Sequence, residues 1–314
     1  MAPFFLVLQF FSLLFHLPKS EAVLVHFGGY WSLLPSILGR FFRKPVYIVL
    51  HGTDCASIPE LSYGSLRLPL LKWFCGTSYR WATKLLPVSE SLAFCDNRFF
   101  PMKTGMKNGF RFHFPMLQTP YQVIPNGFDG EFWTCNESIR KAGNKFIAVM
   151  SDAQFVLKGG DMIVEMARRF GDYTFSIAGM DKPEGISPPS NLKFLGRLEA
   201  EILRSYYQKA DYFLQLSIFE GFGCALCEAM LCGCVPIGSE VNEIPTIIGS
   251  SGYLIRNRSL DDLETTIMTA ANSTVQSLIE KPRRRILEAY LLDLRERLLL
   301  EELSKKNENA PVNL

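Results

Sequence analysis

Two carboxylates, Glu220 and Glu228, stand eight residues apart in the segment SIFEGFGCALCEAMLCGCVPIGS, which runs from Ser217 to Ser239. Between them Gly221 and Gly223 permit φ > 0 and let a ligand approach the backbone with no Cβ in the way. The amides of this turn lead into a helix expected to begin near Phe222. Its first N–H groups lack internal partners, and its dipole favours negative charge, so a diphosphate can sit there. Glu220 precedes the helix and Glu228 lies about five residues inside it, a separation of roughly one and a half turns. One carboxylate is thus placed to reach a hexose and the other a ribose, each accepting hydrogen bonds from vicinal hydroxyls. The pattern predicts a cradle for a nucleoside-diphosphate sugar.

A pair of glutamates at this spacing, taken alone, is more often a helix-start acid and a solvated helix face. The flanking elements change the reading. ADYFLQLS (Ala210 to Ser217) is an apolar strand, and VPIGS (Val235 to Ser239) is another after the helix. The pair therefore falls at the carboxyl edge of a parallel sheet, where open α/β sheets bind their ligands.

The segment resembles the EX7E region of retaining glycosyltransferases of family 4, and further segments agree with that family in order. They are HGTD (His51 to Asp54), PVSES (Pro87 to Ser91), VIPNGFD (Val123 to Asp129), LKGGD (Leu157 to Asp161), SIAG (Ser176 to Gly179) and FLGRL (Phe194 to Leu198). The resemblance spans roughly residues 23 to 300. It implies an α/β fold of two Rossmann-like domains, the GT-B architecture, with a cleft between them. The function it implies is transfer of a hexosyl unit from a nucleoside-diphosphate sugar to a glycan or lipid-linked acceptor, with retention. Its alternative is a non-catalytic, donor-binding fragment or scaffold of the same fold.

Carried over residue by residue, the resemblance makes His51, Lys158 and Glu220 the catalytic group. It gives the donor Gly196, Arg197, Gly221, Phe222, Gly223 and Glu228. Lys158, beside a helix start where an ammonium opposes the dipole, matches the family's donor-phosphate lysine. His51 matches the strand-end histidine beside the transferred sugar. Gly196 and Arg197 match the position whose backbone meets the nucleotide base. Asn126 and Gly127 are read equally as a Pro-Asn-Gly turn or as cleft residues. Two positions depart from the family: Ala153 stands where an arginine is frequent, and Thr246 where a glutamate is. No nucleophilic carboxylate is assigned, because the resemblance implies same-face attack with the departing diphosphate helping to deprotonate the acceptor. No metal is assigned either, since the helix start and Lys158 can neutralise a diphosphate; neither Asp152 nor Asp161 reads as a ligand, and no other cofactor is implied.

At 314 residues, 48% hydrophobic and 20% charged, the chain has length for about two globular domains. The expected division is an N-terminal acceptor domain over 1–130, a nucleotide-sugar domain over 131–290, and a C-terminal helix and tail over 291–314. Strands alternate with helices throughout, as a parallel sheet requires. The first domain is shorter than the family's, with no recognisable copy of the usual opening strands. A net charge of +2 gives no argument for nucleic acid. Cys224, Cys227, Cys232 and Cys234 read as small core thiols on a helix and its following turn rather than as zinc ligands, which implies a reducing compartment.

The apolar stretch from Ala2 to Leu17 lacks a basic n-region and is short for a span, so a buried or interfacial helix is expected. Trp31, Arg40, Phe41, Phe42, Arg43 and Lys44 offer interfacial docking, against a core helix with solvated basic ends. The localisation that follows is cytoplasmic, with peripheral contact at the inner membrane face as the further option. Arg283, Arg284 and Arg285 read as a solvated helix face balanced by Glu280 and Glu288.

Overall fold

A strand apolar at every position, such as VYIVL, can be buried on both sides only in a sheet covered on both faces. The computed structural model describes residues 2–100, 106–136, 138–139, 141–272 and 280–305. In it the chain divides into two units. Unit 1 holds α1 (Ala2–His16), β1 (Val23–His26), α2 (Tyr30–Phe41), β2 (Val46–Leu50), α3 (Pro69–Trp81) and β3 (Lys84–Pro87). The strands are parallel, in the order β1-β2-β3, and every residue of the central β2 is buried. The expected strand ending at Pro125 runs beside β3 through three backbone bonds: Leu85 N–H to Pro120, Gln122 N–H to Leu85, and Ile124 N–H to Pro87. Prolines at both ends limit its regular pairing. The short strands β4 (Cys95–Asn97) and β5 (Met106–Asn108) form a separate pair, followed by the single-turn α4 (Phe110–His113).

Unit 2 holds β6 (Lys145–Val149), α5 (Gly160–Arg169), β7 (Thr174–Ala178), β8 (Leu192–Phe194), α6 (Ala200–Lys209), β9 (Tyr212–Gln215), α7 (Cys224–Leu231) and β10 (Val235–Ser239). It continues with α8 (Ile244–Ile248), β11 (Tyr253–Ile255), α9 (Leu260–Ala271) and α10 (Glu280–Ala289). Its strands are all parallel, in the order β11-β10-β9-β6-β7-β8. The chain winds outward from β6 in one direction through β8, then returns to β9 and winds outward in the other. The reversal lies between β6 and β9, and this is the doubly wound Rossmann order. Phe146 stacks on Phe175 and Tyr212 across the three central strands, with ring centroids 5.0 and 4.9 Å away. The buried Asp211 carboxylate accepts from the amides of Ala142, Asn144 and Lys145, tying the entry of β6 to that of β9.

The division differs from the one expected. The break falls between Asn126 and Gly127 rather than at 130, so the polar stretch 130–145 lies within unit 2. The terminal helix α11 (Leu292–Ser304) is not a separate appendage, since from Asp293 onward it is counted with unit 1. The reason is chemical. Glu302, buried on this helix, is ion-paired to Lys84 on β3, and its carbonyl accepts from the Tyr47 hydroxyl at 3.3 Å. Residues 306–314 of the expected tail lie outside the described residues.

The opening segment is a helix but not a buried one. α1 packs against α2, yet Phe5, Val7, Leu8, Phe11 and Phe15 each leave more than half of their surface exposed. No helix among the described residues is long and apolar enough to cross a membrane. The arginine run is also not a solvated face. The Arg283 guanidinium donates to the carbonyls of Gly130, Trp133 and Leu231 at 3.0, 2.9 and 2.7 Å, and Arg285 donates to Thr246. Only Arg284 keeps the expected exposed pairing, with Glu280. Main-chain carbonyls in the turn at Gly130–Trp133 and at the end of α7 explain the difference for Arg283, because a forked guanidinium satisfies several at once.

Candidate active site

In unit 2 the polar residues gather where the strand order reverses. β9 ends at Gln215, and the chain continues through Leu216–Phe219 to Glu220 before α7 begins at Cys224, two residues later than expected. Glu228 is the fifth residue of that helix. Of the two turn glycines, Gly223 has a left-handed φ of +110°, whereas Gly221 is not in that region. Phe222 points inward. Its ring is buried, stacks over Phe128 at 6.2 Å and meets Tyr290 edge-on at 5.4 Å, so only its backbone is on offer to a ligand.

Opposite this turn lies the LKGGD segment that leads into α5. Gly159 has φ +76°, and a Cβ there would come within 2.5 Å of Leu216. The amide of Ile218 donates to the Leu157 carbonyl at 2.7 Å. This close approach seats Lys158 beside Glu220, with Nζ to Oε2 at 3.4 Å. The same Glu220 oxygen accepts from Gln215 Nε2 at 2.8 Å and Ser217 Oγ at 3.2 Å, and the Glu220 amide donates to Asn242 Oδ1 at 3.1 Å. Burial pushes the Glu228 carboxyl up to about 7, while the Lys158 charge pulls it down. One ammonium therefore acts on both carboxylates, an arrangement suited to an anion flanked by polyols.

The other assigned residues of this unit are placed as follows. Gly196, φ +65°, donates its N–H to Met180 and accepts from Gly179, closing the ends of β7 and β8. Its amide is thus engaged within the protein. Arg197 is exposed. Ala153 is exposed in a single helical turn, and Arg258 is bound through both oxygens of Asp161. Gly127 precedes Phe128, whose amide donates to Tyr290. Cys227, Cys232 and Cys234 are buried and Cys224 is exposed; none of the eight cysteines is in a disulfide. No group of three or more His, Cys, Asp or Glu among the described residues is placed to hold a metal ion.

In unit 1, His51 directly follows β2. Asp54, fully buried, accepts from the amides of Gly28, His51 and Gly52 at 2.9, 3.1 and 2.9 Å, fixing the loop that carries the histidine. Burial lowers the His51 imidazole to about 4, helped by His26 and Arg295, so it is neutral at physiological pH. Asn126 is the last residue of this unit before the chain passes into unit 2. Arg295 on α11 donates to the carbonyls of Ile124 and Pro125 just before it.

Sequence reasoning missed the residues that hold the assigned ones: Gln215, Ser217 and Asn242 around Glu220, and His26, Asp54 and Arg295 around His51. One signal was available. Gln215 interrupts an otherwise apolar strand, and a buried polar side chain needs a partner.

Comparison with known proteins adds three findings. The family model described as Glycosyl transferases group 1 matches residues 146–273, within unit 2. The O-antigen chain mannosyltransferase B of Escherichia coli is 31% identical over 77 residues, 24% of this chain and 20% of that protein. The serotype-specific mannosyltransferase WbdA of Escherichia coli is 31% identical over 81 residues, 26% of this chain and 10% of its own length. The matches thus span a fifth or less of these curated relatives. Among solved structures, Anabaena HepE in complex with UDP and glucose superposes with a TM-score of 0.68 at 17% identity, covering 95% of this chain and 81% of that one. Sucrose-phosphate synthase from Thermosynechococcus elongatus superposes with a TM-score of 0.67 at 15% identity, covering 91% and 74%. Such likeness establishes the fold: two Rossmann-like units of the GT-B type.

Proposed function

We propose that this chain is a retaining glycosyltransferase that moves a hexosyl unit from a nucleoside-diphosphate sugar to a glycan or lipid-linked acceptor, in the assembly of a polysaccharide or glycoconjugate. The observation that carries the reading is the convergence of Lys158, Glu220 and Glu228 on the start of α7, where the strand order of unit 2 reverses. The diphosphate meets the Lys158 ammonium and the positive end of the α7 dipole. Glu228 accepts from the ribose and Glu220 from the hexose. Charge that develops on the leaving diphosphate in the transition state falls on groups already in place, which is how a preorganised site lowers a barrier. His51, neutral, donates or accepts a hydrogen bond to the reacting sugar. The diphosphate, as it leaves, takes up the acceptor proton on the same face. The reaction uses no metal, because Lys158 and the helix start supply the positive charge.

Incubating the protein with GDP- and UDP-sugars, with and without EDTA, and measuring released nucleoside diphosphate and sugar-bearing product tests this reading. The names of the Escherichia coli relatives put mannosyl donors first in that panel, and the UDP in the Anabaena structure puts UDP-sugars second. Nucleotide affinity without turnover on any acceptor would favour the donor-binding scaffold instead.

A membrane surface is the proposed setting, reached from the cytoplasmic side, and unit 1 supplies the reason. α1 exposes Phe5, Phe10, Phe11 and Phe15, Phe41 on α2 is 76% exposed, and Trp73 and Leu70 on α3 are also exposed. Residues 1–84 carry eight Lys or Arg against three Asp or Glu, although the whole chain is only +2. Apolar side chains among excess basic groups complement an anionic lipid interface.

A further inference from the structure

β1 and β2 pair in register through His26 and Val49, so the two strands deliver His26 and His51 to the same end of the sheet of unit 1. Their imidazoles are joined, His26 Nδ1 to His51 Nε2, at 3.0 Å, with nearly parallel rings 5.2 Å apart. The backbone around the pair is held in an uncommon shape. Phe27 has a left-handed φ of +64°, rare for an aromatic residue. That turn brings its ring to 4.3 Å from the His51 ring. Trp31 Nε1 donates to the carbonyls of both His26 and Phe27, and Asp54 holds the amides of Gly28 and His51. Local strain kept by several independent contacts is characteristic of functional positions.

We infer that His26 is the positioning residue for His51: by occupying Nε2 it fixes the ring, ties the His51 tautomer to its own, and leaves Nδ1 as the edge that meets the substrate. The inference rests on the proposed role of His51. A hydrogen bond between two imidazoles needs one N–H and one bare nitrogen. When both rings are neutral, each tautomer dictates the other. Burial and the Arg295 charge lower both imidazoles, so neither ring becomes the cation that would break this rule at neutral pH. The groups facing the pair are Arg295 from α11 and Asp54 from the loop after β2, the latter bound to backbone amides.

The test uses the full chain labelled with 15N in histidine. In the wild-type protein the ring nitrogens of His26 and His51 should report matched tautomer populations, the two Nδ1 atoms protonated to the same extent. In His26→Leu the His51 populations should shift to those of an imidazole without this partner. Turnover should fall about ten- to a hundred-fold, with KM for the donor within about twofold. His26→Asn, whose side-chain amide can still bond to Nε2, should restore most of both signals. Unchanged His51 nitrogens in a folded His26→Leu variant overturn the inference. Full transfer by His26→Leu alongside lost transfer by His51→Ala does the same, and leaves the glycosyl-transfer reading standing. Full transfer by both variants removes the role of His51 on which the inference rests.

Discussion

The Lys158 ammonium stands 3.4 Å from the Glu220 carboxylate, with both side chains less than a fifth exposed. Neither residue is near the other in sequence. They meet because β6 and β9 are neighbours in the sheet and because Gly159 lets the LKGGD turn lie against Leu216. Each charge compensates the other, so a diphosphate that takes over the ammonium leaves Glu220 to the sugar.

Lys158→Met should weaken binding of a nucleoside diphosphate about ten- to a hundred-fold, the worth of one or two charge-assisted hydrogen bonds. Affinity for the nucleoside alone should change little. Calorimetric titration with both ligands checks this, and equal losses for the two would contradict a phosphate role.

Glu228 makes stability depend on pH. Burial raises its carboxyl in the folded chain from the ordinary 4.5 to about 7. Across that window the folded chain keeps a proton that the unfolded chain has released, so stability falls as pH rises through about 7, by roughly 3 kcal/mol in all. Glu228→Gln should remove this slope. Denaturant unfolding should find the variant more stable than the parent at pH 8 and level with it near pH 4.5. A variant less stable than the parent at pH 8 would show that the ionised carboxylate is satisfied within the protein.

Arg283 should be a stability residue and nothing more. Arg283→Met strands the carbonyls of Gly130, Trp133 and Leu231 and should lower stability by about 2–4 kcal/mol. Arg283→Lys should recover part of it, since an ammonium cannot span three acceptors in fork geometry. Thermal melts measure this, and nucleotide affinity of the folded fraction should be unchanged.

Sedimentation with vesicles tests the membrane setting. The chain should bind vesicles rich in phosphatidylglycerol and release them as salt rises. Phe11→Asp on α1 should weaken this binding and spare nucleotide affinity. Equal binding to zwitterionic vesicles at all salt concentrations would remove the electrostatic part of the argument.

How far these features could be read from the chain depended on whether the relevant signal was local. Strands such as VYIVL announced themselves by continuous apolar character, and the turn before α7 by its glycines. The α7 start was misplaced by only two residues. Partners from distant segments left no such mark. Nothing near Arg283 shows that its guanidinium closes Gly130 and Trp133, and nothing in residues 291–314 shows that Glu302 will bury itself against Lys84. The resemblance places Phe222 among the donor residues, but the direction of its ring is set by Phe128 and Tyr290, far away in sequence. The pairing of His26 with His51 required strand register, which the two motifs alone do not give.

The most direct test of the account is the division of labour between the two glutamates. Glu228→Gln should chiefly weaken nucleotide binding, because a ribose contact is equal in the ground and transition states. Glu220→Gln should chiefly lower kcat, because its partner is the sugar whose geometry and charge change during transfer. Each loss should be about ten- to a hundred-fold. Nucleoside-diphosphate affinity and kcat, measured on both variants with a donor the parent turns over, decide the matter. Separate effects, affinity for Glu228 and turnover for Glu220, are the predicted result; nucleotide affinity and kcat unchanged in both folded variants would contradict the cradle.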